Sequence, residues 1–341
     1  MIVVMTRDSS PEDLERVQRR IEDRGLRAQV SQGVERTVVG VLGSIPPDFK
    51  DEMELLLGVA EVVPISKPYK LASREFHPEN TTIRVGNAIV GGPEPVIMAG
   101  PCSVEDEEQM VSTAKAVKAA GATVLRGGAF KPRTSPYSFR GMGIEGLKLL
   151  HLAKQETGLP IITEVMAPGD VEMVARYADI LQIGARNMQN YNLLDEVGAT
   201  DKPVMVKRGL AAPYEEWLLA AEYVMAAGNS RVMLCERGIR AFEQFTRFTL
   251  DVAAIPVIKR LSHLPIVADP SHSTGKWYLV TPVALAAVAA GAHGLLVEVH
   301  PNPDLAKCDG PQSLTFQNFN TLMDQVRAVI AALRREPVGA P

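Results

Sequence analysis

Cys102 follows a short apolar run in the segment IMAGPCSVE, residues 97–105, where a Gly-Pro turn gives way to charged residues. Three further residues with metal-binding side chains lie after later apolar runs: His272, Glu298 and Asp309. One thiolate, one imidazole and two carboxylates suit a borderline divalent cation such as Mn²⁺, Fe²⁺, Co²⁺ or Zn²⁺. A lone cysteine at a strand end is more often an inert core residue. A metal site is therefore predicted only if the fold brings these four residues together.

Cationic side chains also follow or lie close to the ends of apolar runs. They are Arg126, Lys131, Arg133, Arg186, Lys207 and Arg237. Guanidinium groups bind phosphate and carboxylate oxygens in a bidentate manner, and a lysine supplies a point charge or a proton. The segment LRGGAFKPRTSPYSFRG adds hydroxyls and glycine backbone beside three of these cations, as a phosphate-binding loop would. The set predicts an anionic substrate with more than one charged group, and the alternative is a ring of mutual salt bridges.

Eight short apolar runs beginning at Val96 alternate with segments of helix length, which is typical of a parallel sheet with crossover helices. The runs are VIMAG, TVLRGG, PIITE, DILQIG, PVMVK, RVMLCE, PIVAD and GLLVEV. This pattern predicts an α/β fold with a (β/α)₈ TIM barrel over residues 96–335, whose active site would lie at the carboxyl ends of the strands. An open, doubly wound sheet is the alternative, but no G-x-G-x-x-G follows the first run.

The first 66 residues predict a separate small domain. Strand and helix patterns follow in the order β-α-β-β-α-β, the split βαβ arrangement of ferredoxin-like domains, which we interpret as regulatory. Residues 67–95 are polar and rich in glycine, so they are interpreted as a linker and a short hairpin. Residues 336–341 are expected to form a frayed tail.

Composition excludes several classes of protein. With 46% hydrophobic residues and a net charge of −4, the chain can form a large core and carries no overall basic field for nucleic acid. Three cysteines without a regular spacing do not indicate a disulfide-bonded secreted protein. Cys235 is interpreted as a core residue and Cys308 as an exposed bystander. The apolar segment 280–297 contains Pro282 and is interpreted as a helix starting at Thr281–Pro282 and then a strand, so we expect no membrane span and a cytoplasmic protein.

Seven motifs, in order along the chain, resemble the 3-deoxy-D-arabino-heptulosonate 7-phosphate (DAHP) synthases, specifically the microbial type I beta subgroup with a ferredoxin-like N-terminal domain. The motifs are AGPCSVE, LRGGAFKPRTSPYSF, QIGARNMQN, VMVKRG, LCERGIR, DPSHSTG and VEVHPNPDLAKCDGPQSL. The resemblance implies one divalent metal ion held by Cys102, His272, Glu298 and Asp309. The implied phosphoenolpyruvate ligands are Arg126, Lys131, Arg186 with its neighbour Ala185, Lys207 and Arg237. The implied erythrose 4-phosphate contacts are Lys131, Pro132, Arg133, Thr134 and Ser135.

The implied reaction condenses phosphoenolpyruvate with erythrose 4-phosphate and water, the first step of the shikimate pathway. Lys131 is the expected proton donor to the aldehyde oxygen, Glu164 is expected to position the water, and His272 acts as a metal ligand. One alternative is 3-deoxy-D-manno-octulosonate 8-phosphate synthase, although those enzymes usually carry a Lys-Ala-Asn-Arg-Ser loop where this chain has KPRTSP. The other is a non-catalytic barrel that binds aromatic amino acids.

The resemblance also implies feedback inhibition by Tyr or Phe, bound where small domains meet within a homotetramer. The segment AQVSQGVERTVVG is the expected effector-binding strand pair, with Ser31 as a contact. Some relatives have histidine where this chain has Gln29. Because an amide cannot become cationic, the choice between the two effectors stays open.

Overall fold

The computed structural model describes residues 1–33, 36–43, 45–46, 48–63, 68–131, 135 and 137–334. The chain forms two compact units. One comprises Met1–Asn80 with Arg260–His263, and the other comprises Thr81–Lys259 with Leu264–Pro341. The domain boundary predicted at residue 66 and the tail predicted at 336–341 lie outside the described residues.

The first unit contains a four-stranded antiparallel sheet in the order β2-β3-β1-β4, with two helices. Its elements are β1 (Ile2–Met5), α1 (Pro11–Asp23), β2 (Arg27–Gln32), β3 (Thr37–Leu42), α2 (Phe49–Glu54) and β4 (Val59–Val63). Helix α1 begins after Ser10, which forms a reciprocal capping box with Asp13 and stabilises the first turn by about 1 kcal/mol. Val3, Val17 and Phe49 belong to the buried core of this unit. The order confirms the predicted ferredoxin-like β-α-β-β-α-β pattern.

The second unit is a closed barrel of eight parallel strands, which are neighbours in chain order and close between the last and the first. The strands are β7 (Val96–Gly100), β8 (Val124–Arg126), β9 (Ile161–Val165), β10 (Ile180–Ile183), β11 (Val204–Lys207), β12 (Val232–Glu236), β13 (Ile266–Ala268) and β14 (Gly294–Glu298). All eight predicted runs are therefore strands. The runs contain few polar residues because strands of such a barrel are buried on both faces. The predicted hairpin is also present, with β5 (Ile83–Val85) paired to β6 (Ala88–Val90), and it packs against the barrel core.

Helices follow the strands of the barrel, and the last of them comes after β14. They are α3 (Glu107–Ala120), α4 (Ile144–Thr157), α5 (Val171–Ala175), α6 (Tyr191–Gly198), α7 (Tyr214–Ala226), α8 (Ala254–Leu261), α9 (Pro270–Thr274), α10 (Trp277–Ala289) and α11 (Phe316–Leu333). The predicted helix start at Thr281–Pro282 is wrong, because α10 begins at Trp277 and contains Pro282 in its interior. The chain turns at Gly275, whose φ of 70° ends α9 and allows the earlier start. Among the described helices, none is both long and apolar enough to cross a membrane.

Candidate active site

A cavity of about 320 Å³ opens at the carboxyl ends of the barrel strands. Its described lining residues are Arg126, Lys131, Ser135, Ser138, Glu164, Gln182, Gly184, Ala185, Arg186, Lys207, Arg237, Arg247, His272, Cys308 and Asp309. Most of the residues predicted for the site are therefore brought to one mouth by strands that are far apart in the sequence. The predicted contacts Pro132, Arg133 and Thr134 lie outside the described residues. The volume falls in the range of small-molecule sites.

The four predicted metal ligands converge at one side of this cavity. His272 Nε2 lies 3.3 Å from Glu298 Oε1 and 3.9 Å from Asp309 Oδ2. Cys102 Sγ lies 3.4 Å from the same Asp309 oxygen. Glu298 is the last residue of β14 and His272 lies in the short helix after β13, so the barrel positions both side chains directly. Soft, borderline and hard donors in this cluster fit a divalent transition-metal ion.

Cys308 differs from its prediction. It is 5% exposed, and its Sγ lies 2.8 Å from Cys102 Sγ, so the interpretation as an exposed bystander is wrong. The loop after β14 folds back because Leu314 N donates to Glu298 O and Lys307 N donates to Glu105 Oε1. These long-range hydrogen bonds place residue 308 over the end of β7. The polar residues next to Cys308 in the sequence do not predict that this loop folds back and buries the thiol.

The protonation of the donors depends on their surroundings. Burial raises the pKa of the Cys102 thiol well above its usual range, and the hydrogen bond with Cys308 and the charge of Glu298 act in the same direction. Burial also raises the pKa of Asp309, but the nearby His272 and Arg247 lower it more, to about 2. The carboxylate is thus ionised at neutral pH, whereas ionisation of the thiol needs a further positive charge. A bound divalent cation supplies such a charge.

The cations at the mouth are held in different ways. Arg126 Nη1 donates to Pro101 O at 2.7 Å and to Glu298 Oε1 at 3.0 Å, so this guanidinium also contacts a predicted metal ligand. Lys207 Nζ lies 2.5 Å from Asp269 Oδ2. Arg237 is 6% exposed, and its Nη1 is buried with no hydrogen-bond partner among the described residues. A buried guanidinium nitrogen without a partner is costly. Mutual salt bridges therefore do not account for the whole set, and Arg237 favours an anionic ligand.

Lys131 is buried beside the sulfur atoms. Burial lowers the pKa of its ammonium, but Glu298 and the two sulfur atoms, when ionised as thiolates, raise it, and the net shift is upward. Gly128 accommodates this side chain, because a Cβ there would lie 2.7 Å from Lys131 Nζ and 2.7 Å from Cys102 O. The side chain of Lys131 is thus a charged ammonium at neutral pH.

Glu164 lies across the cavity on β9 and is partly exposed. Gln182 Nε2 donates to Glu164 Oε2 at 3.4 Å. Gly184 is required here, because a Cβ at this position would lie 2.0 Å from Glu164 Oε1. The glycine leaves room for the carboxylate, while Ala185 and Arg186 follow in the next turn. The arrangement keeps the Glu164 carboxylate facing a cavity whose lining also contains several cations.

Among the site residues that sequence reasoning missed are Asp269, Arg247 and Gln312. Gln312 Nε2 donates to Glu298 Oε2 at 2.6 Å, and Arg247 Nη1 donates to Gln312 Oε1 at 3.0 Å. Asp269 follows β13 directly, so the strand-end rule could have found it. Arg247 and Gln312 lie within long loops, where no periodic signal marks a residue as facing the mouth.

The first unit has a cavity of its own, of about 340 Å³. Its described lining residues are Val4, Ser31, Gly33, Arg36, Val38, Glu75, Pro78 and Glu79. Ser31 pairs with Val38 in the sheet and contributes to this lining. Gln29, two residues earlier, pairs with Gly40 and is not part of the lining. The two predicted regulatory residues thus have different surroundings.

Comparison with known proteins identifies the family. The profile described as DAHP synthetase I family matches residues 75–334, and that described as DAHP synthase ferredoxin-like domain matches residues 1–67. A phospho-2-dehydro-3-deoxyheptonate aldolase of Thermotoga maritima is 49% identical over 333 residues, covering 98% of each chain. A 2-dehydro-3-deoxyphosphooctonate aldolase of Nitratidesulfovibrio vulgaris is 36% identical over 252 residues, covering 68% of this chain and 91% of the relative.

Solved structures agree with the sequence comparison. The crystal structure of a phospho-2-dehydro-3-deoxyheptonate aldolase (DAHP synthase) from Thermotoga maritima superposes with a TM-score of 0.78 at 49% identity, covering 97% of each chain. A truncated form of 3-deoxy-D-arabino-heptulosonate 7-phosphate synthase from Thermotoga maritima superposes with a TM-score of 0.73 at 48% identity, covering 77% of this chain and 97% of the other. The residues that suggested the resemblance are thus part of a match along nearly the whole sequence, and this chain belongs to the DAHP synthetase I family.

Proposed function

We propose that this enzyme condenses phosphoenolpyruvate with erythrose 4-phosphate and water to give DAHP and inorganic phosphate, and that it requires a divalent metal ion. The observation that carries the proposal is the convergence of four metal-binding side chains at one side of a cavity that is also lined by a group of cations. The name of the Thermotoga relative supports the same reaction.

Cys102, His272, Glu298 and Asp309 would hold the metal ion, and a bound divalent cation supplies Lewis-acid polarisation of a carbonyl oxygen. Arg126, Arg186, Lys207 and Arg237 bind the carboxylate and phosphate of phosphoenolpyruvate. These fixed cations overcome the repulsion between two anionic substrates and stabilise charge that develops during the reaction.

The chemistry then uses two further residues. C3 of phosphoenolpyruvate bonds to the aldehyde carbon, and the Lys131 ammonium donates a proton to the aldehyde oxygen. Glu164 orients a water molecule that adds at C2 of the former phosphoenolpyruvate. Cleavage of the bond between C2 and the phosphate oxygen releases inorganic phosphate. The proposed contacts of erythrose 4-phosphate are Lys131, Pro132, Arg133, Thr134 and Ser135.

Consumption of phosphoenolpyruvate tests the proposal. The metal-loaded protein is assayed with erythrose 4-phosphate and separately with arabinose 5-phosphate, each with and without a chelator. We expect consumption with the four-carbon sugar that a chelator abolishes. Turnover chiefly with arabinose 5-phosphate would instead favour the activity named for the Nitratidesulfovibrio relative. Binding of Tyr or Phe without turnover would favour a non-catalytic sensor.

The small unit is proposed to mediate feedback inhibition by Tyr or Phe in a cytoplasmic homotetramer. The cavity beside Ser31 supports this, since Arg36 matches an α-carboxylate and Glu79 matches an α-ammonium group. A chain lacking residues 1–66 should keep its turnover and lose its response to both amino acids. Inhibition that survives the deletion would contradict the proposal, and sedimentation of the full chain tests the tetramer.

A further inference from the structure

We propose that Asp269 is a positioning residue that couples the metal-binding side of the cavity to the phosphoenolpyruvate-binding side. The inference rests on the proposed function, because it concerns how His272 and Lys207 are held for their roles there. Asp269 itself does not line the cavity, whereas both of its side-chain partners do.

The two carboxylate oxygens of Asp269 have separate tasks. Oδ1 accepts a hydrogen bond from the backbone N–H of His272 at 2.9 Å and so caps helix α9. Oδ2 lies 2.8 Å from His272 Nδ1 and 2.5 Å from Lys207 Nζ. The side chain is completely buried, so no water competes for these contacts. A helix cap requires only Oδ1, and the contacts of Oδ2 call for another explanation.

The contact with His272 sets which ring nitrogen can bind a metal ion. Nε2 faces Glu298 and Asp309, so binding of a metal ion there requires the lone pair on Nε2 and the proton on Nδ1. A carboxylate beside Nδ1 stabilises this tautomer and orients the ring, as is common for metal-binding histidines. His272 Nδ1 lies close to Asp269 Oδ2, but the ring N–H does not point at this oxygen as a hydrogen bond would require. The main effect of the carboxylate on the ring is therefore electrostatic.

The contact with Lys207 places a carboxylate oxygen beside a buried side-chain nitrogen. Lys207 is 4% exposed at the end of β11, where an unpaired charge would be costly. One carboxylate oxygen satisfies only part of an ammonium with three N–H donors, which leaves the others for substrate oxygens. Because the same Oδ2 serves His272 and Lys207, loss of its charge must affect both sides of the cavity.

Glu236 provides a matched control. It is also completely buried at the end of a neighbouring strand, β12, where Oε2 accepts from Arg208 Nη1 at 2.9 Å and Oε1 accepts from Gly238 N at 2.7 Å. Neither partner is a proposed metal or substrate ligand. Glu236→Gln therefore removes a buried carboxylate charge of the same kind without touching the proposed coupling.

The test compares Asp269→Asn, Glu236→Gln and Lys207→Met with the wild-type enzyme. Co²⁺ affinity is measured by chelator competition, the Co²⁺ absorption spectrum reports its ligand geometry, and calorimetry gives phosphoenolpyruvate affinity at saturating Co²⁺. Asp269→Asn should weaken Co²⁺ binding about 10- to 100-fold, change the spectrum and weaken phosphoenolpyruvate binding. Lys207→Met should weaken phosphoenolpyruvate binding with the spectrum unchanged. Glu236→Gln should leave all three quantities at wild-type values.

The outcomes separate this inference from the proposed function. Wild-type protein that binds no divalent cation would overturn the proposed metal site. If the wild type binds Co²⁺, an Asp269→Asn variant that alters only one of the two affinities, or neither, would overturn the coupling. Should that variant not fold, Asp269→Glu takes its place, because it keeps the charge but displaces the carboxylate oxygens from both partners. Wild-type affinities for both Co²⁺ and phosphoenolpyruvate in that variant would refute the inference.

Discussion

The barrel mouth and the cavity of the small sheet are both charged, but their charges differ in burial. Arg126, Lys207 and Glu298 are each less than 5% exposed at the ends of parallel strands. In the small unit, Arg36 and Glu79 are exposed. Charge interactions strengthen as water is excluded, so the barrel can stabilise charge that develops in a reaction. The exposed charges of the small unit suit reversible recognition instead.

The largest expected effect comes from removing the thiol at the mouth. Loss of groups that only orient metal ligands costs about 10- to 100-fold, and Cys102→Ser, which changes a proposed ligand itself, should lower turnover by at least about 100-fold. Its affinity for Co²⁺ or Zn²⁺, measured by chelator competition, should fall with it. Cys235→Ser is the control. Cys235 is a buried core residue and belongs to neither of the groups of possible metal ligands found among the described residues. Near-normal turnover of Cys102→Ser would show that Cys102 is not a required metal ligand.

The contrast between the regions also explains what the sequence could predict. Strand positions were predictable because each buried strand is a continuous run such as VIMAG, and the strand-end rule then located Arg126, Lys207 and Glu298. Cys308 and Arg247 were not predictable in this way, since long-range backbone hydrogen bonds place their loops. Asp269 was overlooked although it follows β13 directly. Its partners His272 and Lys207 come from different strand ends, and only closure of the barrel brings them together.

A second prediction tests whether buried charge at the mouth binds the substrate. Arg237→Met removes the guanidinium whose Nη1 has no described partner and should weaken phosphoenolpyruvate binding by about 2 kcal/mol, or about 30-fold, in calorimetry. Arg240→Met, three residues further along and exposed, is the matched control and should bind normally. Equal affinities for the two variants would show that Arg237 does not contact the substrate.

The exposed cavity of the small unit should respond more weakly. Ser31→Ala removes one hydroxyl from the lining and should raise the concentration of Tyr or Phe needed for half-inhibition by about 5-fold, as expected for a hydrogen bond of about 1 kcal/mol. Turnover without effector should stay unchanged. Gln32→Ala alters the next residue of β2, which is exposed and not part of the lining, and serves as the control. An unaltered inhibition curve for Ser31→Ala would remove Ser31 from the effector site.

The smallest expected effect is a pH dependence of stability in the first unit. His263 is 4% exposed, and burial lowers its pKa to about 4, with further contributions from His77 and Arg74. Its Nε2–H donates to Leu71 O at 2.7 Å, so the neutral ring is satisfied. In the unfolded chain the ring takes up a proton below about pH 6.5, whereas the folded ring stays neutral to about pH 4. Protons therefore favour the unfolded state between these values, and the free energy of unfolding falls as the pH falls through this window.

His263→Gln can still donate to Leu71 O but cannot titrate. Between about pH 7 and pH 5.5, the wild-type protein should lose roughly 1 kcal/mol more stability than this variant does, measured by urea unfolding of the first unit. His151→Gln, on the exposed face of α4, should keep the wild-type pH dependence. Turnover of His263→Gln should match the wild type at both pH values, because the titrating group belongs to the unit without the barrel mouth. A wild-type pH dependence in His263→Gln would mean that another group governs the acid sensitivity of this unit.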